Sequence, residues 1–193
     1  MIEYIKGEVI EAQPAYAVIE AHGIGFGLNI SLNTYSAIQG KETARLWTYE
    51  SIREDAYVLY GFATEDERAM FMMLIGVSGV GPATARMILS QMTVAELRDV
   101  IAGGDERALR RVKGIGQRTA QRIIVDLRDR VGGDEGQTGL TTAKNGVREE
   151  AMGALTMLGF APAPTAKVVN AILKANPTMS VEDVVKAALK QIR

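Results

Sequence analysis

The chain has 193 residues with no cysteine, one histidine (His22), and 22 basic against 23 acidic side chains, a net charge of -1. This excludes a disulfide framework, a thiolate metal site and an imidazole cluster, and leaves length for one good core or for two or three small domains. No stretch approaches the roughly 20 apolar residues that cross a bilayer, and MIEYIKGEVI lacks the layout of a secretion signal, so a cytoplasmic protein without a membrane partner is expected.

Residues 2–62 read as strands. Tyr16, Val18 and Glu20 alternate with Ala17, Ile19 and Ala21; Phe26, Leu28 and Ile30 alternate; 45–49 and 57–62 are rich in aromatic and branched residues; and turns are expected at Gln13-Pro14, 23–25 and Gln39-Gly40. Five short strands in about sixty residues predict a small closed barrel of the oligonucleotide-binding type.

From Thr64 the pattern turns helical. Thr64 caps a helix beginning Glu65-Asp66-Glu67, with Phe71, Leu74 and Ile75 on one face and Met70, Met72 and Met73 as core packing. Pro82 suits a first helical turn, Thr93 with Glu96 forms a capping box for a helix ending at Gly103-Gly104, and Asp105 caps a short helix.

Within this region a sixteen-residue pattern occurs twice, 35 residues apart: LIGVSGVGPATARMIL at 74–89 and LRRVKGIGQRTAQRII at 109–124, with seven positions identical. Each copy places glycine, an apolar residue and glycine just ahead of an amphipathic helix. Glycine tolerates positive φ and lets a phosphate approach the main chain, and the free N–H groups of a helix start favour an anion. One such glycine turn is ordinary loop chemistry; two copies in register point to a tandem helix-hairpin-helix that holds nucleic-acid phosphates. The candidate contacts are Gly79, Val80, Gly81, Thr84 and Arg86 in the first copy. In the second they are Lys113, Gly114, Ile115, Gly116, Arg118, Thr119 and Arg122.

The charge distribution agrees. Residues 1–63 hold four basic and eight acidic side chains, whereas 107–130 hold eight Lys or Arg against Asp126 and Asp129. An excess centred on a glycine hairpin is an electrostatic footprint for a polyanion.

The stretch GGDEGQTGLTTAKNG at 132–146, with five glycines, reads as a flexible linker. Beyond it, 147–158, 164–175 and 181–192 predict three short helices, the last capped by Ser180. A tethered bundle of this size suits a protein partner better than an active site. The expected organisation is α+β and multidomain: barrel 1–63, tandem helix-hairpin-helix 64–131, linker 132–146, three-helix partner-binding bundle 147–193.

This order, with the stretches SIREDAYVLYGF (51–62), GVSGVGPATARMILSQM (76–92), VKGIGQRTAQRIIVDLRDR (112–130) and EEAMGALTMLGF (149–160), resembles the RuvA family of bacterial Holliday-junction branch-migration proteins over essentially the whole chain. The last stretch is similar to the family's ubiquitin-associated-like domain.

The resemblance implies a homotetramer, alone or as two tetramers per junction, that holds four-way DNA open and recruits the hexameric ATPase RuvB, in company with a RuvC-type resolvase. It implies no cofactor, no metal and no catalytic residue of its own. Each hairpin pair would grip one duplex arm across its minor groove, reading shape, since phosphate contacts carry no base sequence. The family's acidic pin corresponds to Glu54 and Asp55, whose carboxylates would repel the converging backbones. The terminal module would dock the ATPase through an exposed apolar patch around Leu155, Leu158, Phe160 and Ile172. One departure concerns the first hairpin: where the family often carries lysine, Pro82, Ala83 and Thr84 are uncharged and Arg86 is the first cation. The second hairpin is therefore expected to carry more of the electrostatic affinity.

Two other classes compete. Tandem hairpins also serve DNA glycosylases, nucleases and ligases, but the chain has no G-x-x-x-x-G-K-[ST] loop, His22 beside Gly23 suits a turn, and the carboxylates at 65–67 suit a helix start better than a two-metal site. A single-strand binder would use barrel aromatics such as Tyr4, Tyr16, Phe26 and Trp47, positions that equally suit a core.

Overall fold

The computed structural model describes residues 1–131 and 143–192. Strands β1 (Tyr4–Gln13), β2 (Tyr16–Ala21), β3 (Ile24–Ile30), β4 (Thr43–Ile52) and β5 (Tyr57–Phe62) close into a barrel in the order β1-β2-β3-β5-β4. All neighbours are antiparallel except β3 and β5, which run parallel. The alternation seen in sequence fills the interior: Ala17, Ile19, Leu28, Ile30 and Leu46 are buried together with Ile5 and Leu59. A bulge between Val9 and Glu11 bends β1 so that one strand pairs on both sides. Gly7 allows this closure, because a Cβ there would run into the Glu20 carbonyl.

One element is absent from the sequence reading: helix α1 (Leu32–Ile38) joins β3 to β4. Its seven residues are too few to show a helical period. Tertiary contacts sustain it: Ser31 caps it by accepting from the Thr34 N–H at 2.9 Å, and Glu67 accepts from the hydroxyls of Ser31 and Thr34.

Beyond the barrel follow α2 (Glu65–Ile75), α3 (Pro82–Gln91), α4 (Val94–Gly103), α5 (Glu106–Arg110) and α6 (Gln117–Val131). The caps form as the sequence predicts at Thr64, at the Thr93/Glu96 capping box and at Asp105, and Gly104 ends α4 with φ +73°. The buried faces of these helices form one core with Phe62. Phe71 on α2 packs against Tyr49, Tyr60 and Phe62, with ring centroids 5.3, 5.3 and 4.8 Å away, so the barrel wall at β4 and β5 is one surface of the helical core. Residues 1–131 accordingly belong to a single compact unit. Met70 is buried and Met73 half-buried in this core, whereas Met72 faces solvent, contrary to the reading of all three as packing.

The second unit is a bundle of α7 (Ala143–Met157), α8 (Pro162–Ala175) and α9 (Val181–Leu189) around Ala151, Leu155, Val169, Ile172, Val184 and Ala188. Ser180 caps α9 as expected. The expected linker lies outside the described residues over 132–142, and α7 takes up its last part. Among the described residues, no helix is long and apolar enough to cross a membrane.

Candidate nucleic-acid interface

The sequence repeat is a structural repeat. Gly79 and Gly114 both adopt φ +93°, and each is spanned by the same main-chain bond: Val80 N–H to Val77 O at 3.0 Å, and Ile115 N–H to Val112 O at 3.1 Å. A side chain at this φ is strained, which is why glycine recurs. Val80 and Ile115 are 5% and 6% exposed. Both are buried as hairpin anchors, so a contact with a ligand here would run through the main chain of the turn.

The glycine faces are open. A Cβ at Gly81, Gly114 or Gly116 would meet nothing within 4 Å. Helix α3 begins behind Gly81 with Pro82 in its first turn and no side-chain cap, and its first main-chain bond runs from Ala85 N–H to Gly81 O at 2.9 Å. In α6 the corresponding bond joins Ala120 N–H to Gly116 O at 3.0 Å. The N–H groups ahead of these bonds, at Ala83 and Thr84 and at Gln117, Arg118 and Thr119, are left as donors without intrahelical partners.

The two hairpins lie side by side. Thr119 Oγ1 is 3.9 Å from where a Cβ on Gly79 would stand, and Arg122 Nη1 donates to Ser78 O at 3.2 Å, tying the second helix to the first loop. Thr84 and Thr119 are half-buried at the two helix starts. Lys113 and Arg118 are exposed and have no hydrogen bond or ion pair with any described residue. Arg118 and Arg122, four residues apart, share a face of α6.

Arg86 stands apart from this group. Its Nη1 donates to Ala15 O at 2.9 Å and to Asn29 Oδ1 at 3.2 Å, both in the barrel. Thr84 and Arg86 are two residues apart, about 200° around a helix, so the side chain that follows the hairpin faces away from it. Arg86, expected among the hairpin cations, is engaged with the barrel in this structure.

Glu54 and Asp55 occupy the exposed tip of the β4–β5 hairpin, closed by Arg53 N–H to Ala56 O at 2.8 Å. Below the tip, the Tyr57 hydroxyl donates to Glu50 at 2.7 Å and the Ile2 N–H to the same carboxylate at 2.9 Å. The Tyr57 hydroxyl first, then the Ile2 N–H, hold Glu50 below the usual carboxylate range, and the same contact raises Tyr57. Two carboxylates thus project from a braced two-stranded arm.

The cluster at 65–67 divides. Asp66 pairs with Arg98 at 2.6 Å on the surface, while Glu67 turns inward and is 4% exposed. Among the described residues, no group of three or more His, Asp or Glu side chains is placed to hold a metal ion. His22 sits exposed in the β2–β3 turn with φ +52°. Sequence reasoning missed Glu67, Asn29 and Asn33, whose partners lie more than thirty residues away or on other elements, and no local pattern announces them.

In the bundle, Leu155 is fully buried and Ile172 is 6% exposed. Both are core, which corrects their placement on an exposed patch. Phe160 is half-buried against that core. The most exposed large apolar side chains of the bundle are Met157 and Leu158, 90% and 60% accessible, ahead of Leu189 at 42%. They flank a helix stop in which Gly159 has φ +93° and Phe160 N–H reaches back to Leu155 O at 3.1 Å.

Comparison with known proteins covers the same ground. Residues 1–61 match the RuvA N terminal domain, 71–129 the SAM-like helix-hairpin-helix tandem, and 146–193 the RuvA C-terminal domain. A Bacteroides fragilis protein named Holliday junction branch migration complex subunit RuvA is 57% identical over 203 residues, covering 100% of both chains. Proteins of the same name from Bacteroides thetaiotaomicron and Christiangramia forsetii are 56% and 45% identical over 201 and 196 residues, again covering 100% of each chain. With matched domains at both ends and full-length relatives of this identity, the chain belongs to the RuvA family.

Proposed function

We propose that this chain binds four-way (Holliday) junction DNA as a non-catalytic subunit and delivers the junction to an ATP-driven RuvB motor for branch migration in recombination and repair. The observation that carries this is the pair of adjoining hairpins, with the same φ at Gly79 and Gly114 and the same spanning bond. Two outward sets of helix-start N–H groups suit two phosphates of one duplex, and Lys113, Arg118 and Arg122 supply charge beside the second.

In this reading the contacts are the main chain around Gly79 and Gly81 and around Gly114 and Gly116, the hydroxyls of Thr84 and Thr119, and the three cations. The barrel adds repulsion: Glu54 and Asp55 stand where converging backbones meet a negative tip, which disfavours a closed, stacked crossover. Four copies, one per arm, satisfy a four-way junction, as one tetramer or as two enclosing the DNA, and leave a RuvC-type resolvase to cut. The barrel with the hairpins handles DNA, while the bundle 147–193 carries the motor contact through Met157, Leu158 and Phe160. The setting is the cytoplasm.

A gel shift with equal amounts of four-way junction, linear duplex and single strand at about 0.15 M salt tests the reading, since screening there removes weak nonspecific attraction. A strong preference for the junction is expected. Equal binding of all three would reduce the hairpins to a generic phosphate grip. Preference for the single strand would move the site to the barrel aromatics.

A further inference from the structure

Helix α3 is clamped to the barrel at two points by side chains that the DNA contacts do not use. At its middle, Arg86 Nη1 bonds Ala15 O at 2.9 Å and Asn29 Oδ1 at 3.2 Å. Asn29 in turn donates through Nδ2 to Leu59 O at 3.5 Å, on the strand that descends from the Glu54-Asp55 tip. At its end, Asn33 on α1 donates through Nδ2 to Leu89 O at 2.6 Å and Met92 O at 2.9 Å. It thereby satisfies carbonyls that a helix C-terminus leaves open.

We infer that Arg86 and Asn33 are specificity-determining positioning residues: they fix the first phosphate-binding hairpin relative to the acidic tip, and through that fixed geometry discriminate a four-way junction from linear duplex. This rests on the junction-binding reading above. A duplex needs only the two hairpins, which stay adjoined through Arg122 and Ser78. A junction must satisfy the hairpins and meet the acidic tip at the same time. Any freedom of α3 against the barrel therefore weakens the second requirement and spares the first. A displacement of about 1 Å in a positioned group is enough to cost a large factor in a geometry-dependent step.

The inference separates Arg86 from the hairpin cations. A guanidinium that contacts phosphate contributes about 0.9 to the slope of log K against log salt; in this reading Arg86, turned from the hairpin onto Ala15 O and Asn29 Oδ1, makes no such contact. Asn33 carries no charge at all, so any effect of its removal on DNA is geometric.

The experiment measures Kd for four-way junction and for linear duplex, with salt slopes, on the full chain carrying Arg86→Ala or Asn33→Ala. In both, the junction preference falls about tenfold or more, while duplex affinity stays within about twofold and its salt slope is unchanged. A slope lowered by about 0.9 in Arg86→Ala, or a preference retained in either variant, overturns the inference. If either alanine variant loses its cooperative thermal transition, Arg86→Lys and Asn33→Ser are judged by the same criteria. If the unmodified chain has no junction preference, the functional reading fails first, and the result is distinguishable from failure of this one.

Discussion

Replacing Glu67 by alanine should be the most damaging single polar change in the first unit. The carboxylate is 4% exposed and accepts from the Ser31 hydroxyl, from the Thr34 hydroxyl at 2.7 Å and from the Ala63 N–H at 3.3 Å. The Ala63 N–H keeps a second acceptor, Thr34 Oγ1 at 3.0 Å, so the substitution strands two buried hydroxyl donors. At about 1–3 kcal/mol for each unsatisfied buried group, the two together cost about 4 kcal/mol. For a unit of this size that lowers Tm by roughly 10–15 °C. Calorimetry on Glu67→Ala beside Glu65→Ala checks it, because Glu65 is exposed in the same first turn and its loss costs only about 0.5 kcal/mol of helix-dipole interaction. Adding Ser31→Ala and Thr34→Ala to Glu67→Leu should recover only part of the loss, since it removes the stranded hydroxyls but leaves the Ala63 and Thr34 N–H groups without their acceptors. A Tm for Glu67→Ala within about 3 °C of the unmodified chain would refute the account.

The double variant Lys113→Ala/Arg118→Ala should lower the duplex salt slope by about 1.8, two phosphate contacts' worth; an unchanged slope would remove both from the interface. Gly114→Ala forces a Cβ into φ +93°, costing about 1–2 kcal/mol of stability by thermal melt and weakening duplex binding by gel shift. The N–H of Thr93, then its hydroxyl, hold Glu96 below the usual carboxylate value, so the capping box is fully present above the unfolded-state pKa and is lost as pH falls through the lower, folded one. The Tm difference between the unmodified chain and Glu96→Gln should therefore be largest near neutral pH and vanish in acid; a difference that grows in acid would reverse the sign. Met157→Ser with Leu158→Ser should leave junction binding intact while reducing stimulation of RuvB ATPase activity; loss of both activities would place the bundle in the DNA site.

What the sequence disclosed depended on range. The caps at Thr64, Thr93, Asp105 and Ser180 form because each needs only a hydroxyl or carboxylate and an N–H two or three residues on. The repeated glycines were equally legible, since positive φ selects glycine wherever it occurs. Helix α1 was invisible because it stands on Glu67 and on α3, not on its own seven residues. Leu155 and Ile172 were misplaced for a different reason. On a short amphipathic helix the apolar stripe marks what is buried, and a docking patch of the same residue types has the same period. Only the exposure of Met157 and Leu158 tells the two apart.

The unequal charge of the two hairpins then has a mechanical explanation. In α6 the side chains four apart, Arg118 and Arg122, share the face beside the glycine turn, so the second hairpin can attract a backbone through charge. In α3 the sole cation faces the barrel and spends its bonds on Ala15 and Asn29. In the proposed reading the first hairpin therefore holds a phosphate with main-chain donors and Thr84 while its helix is fixed to the barrel. Charge acts over a Debye length and tolerates misplacement, whereas main-chain donors demand registry within hydrogen-bond reach. A junction-binding subunit needs both. In the proposed reading the charged hairpin secures any duplex arm, and the neutral one, clamped to Ala15 and to Asn29 of β3, measures where that arm stands relative to the crossover.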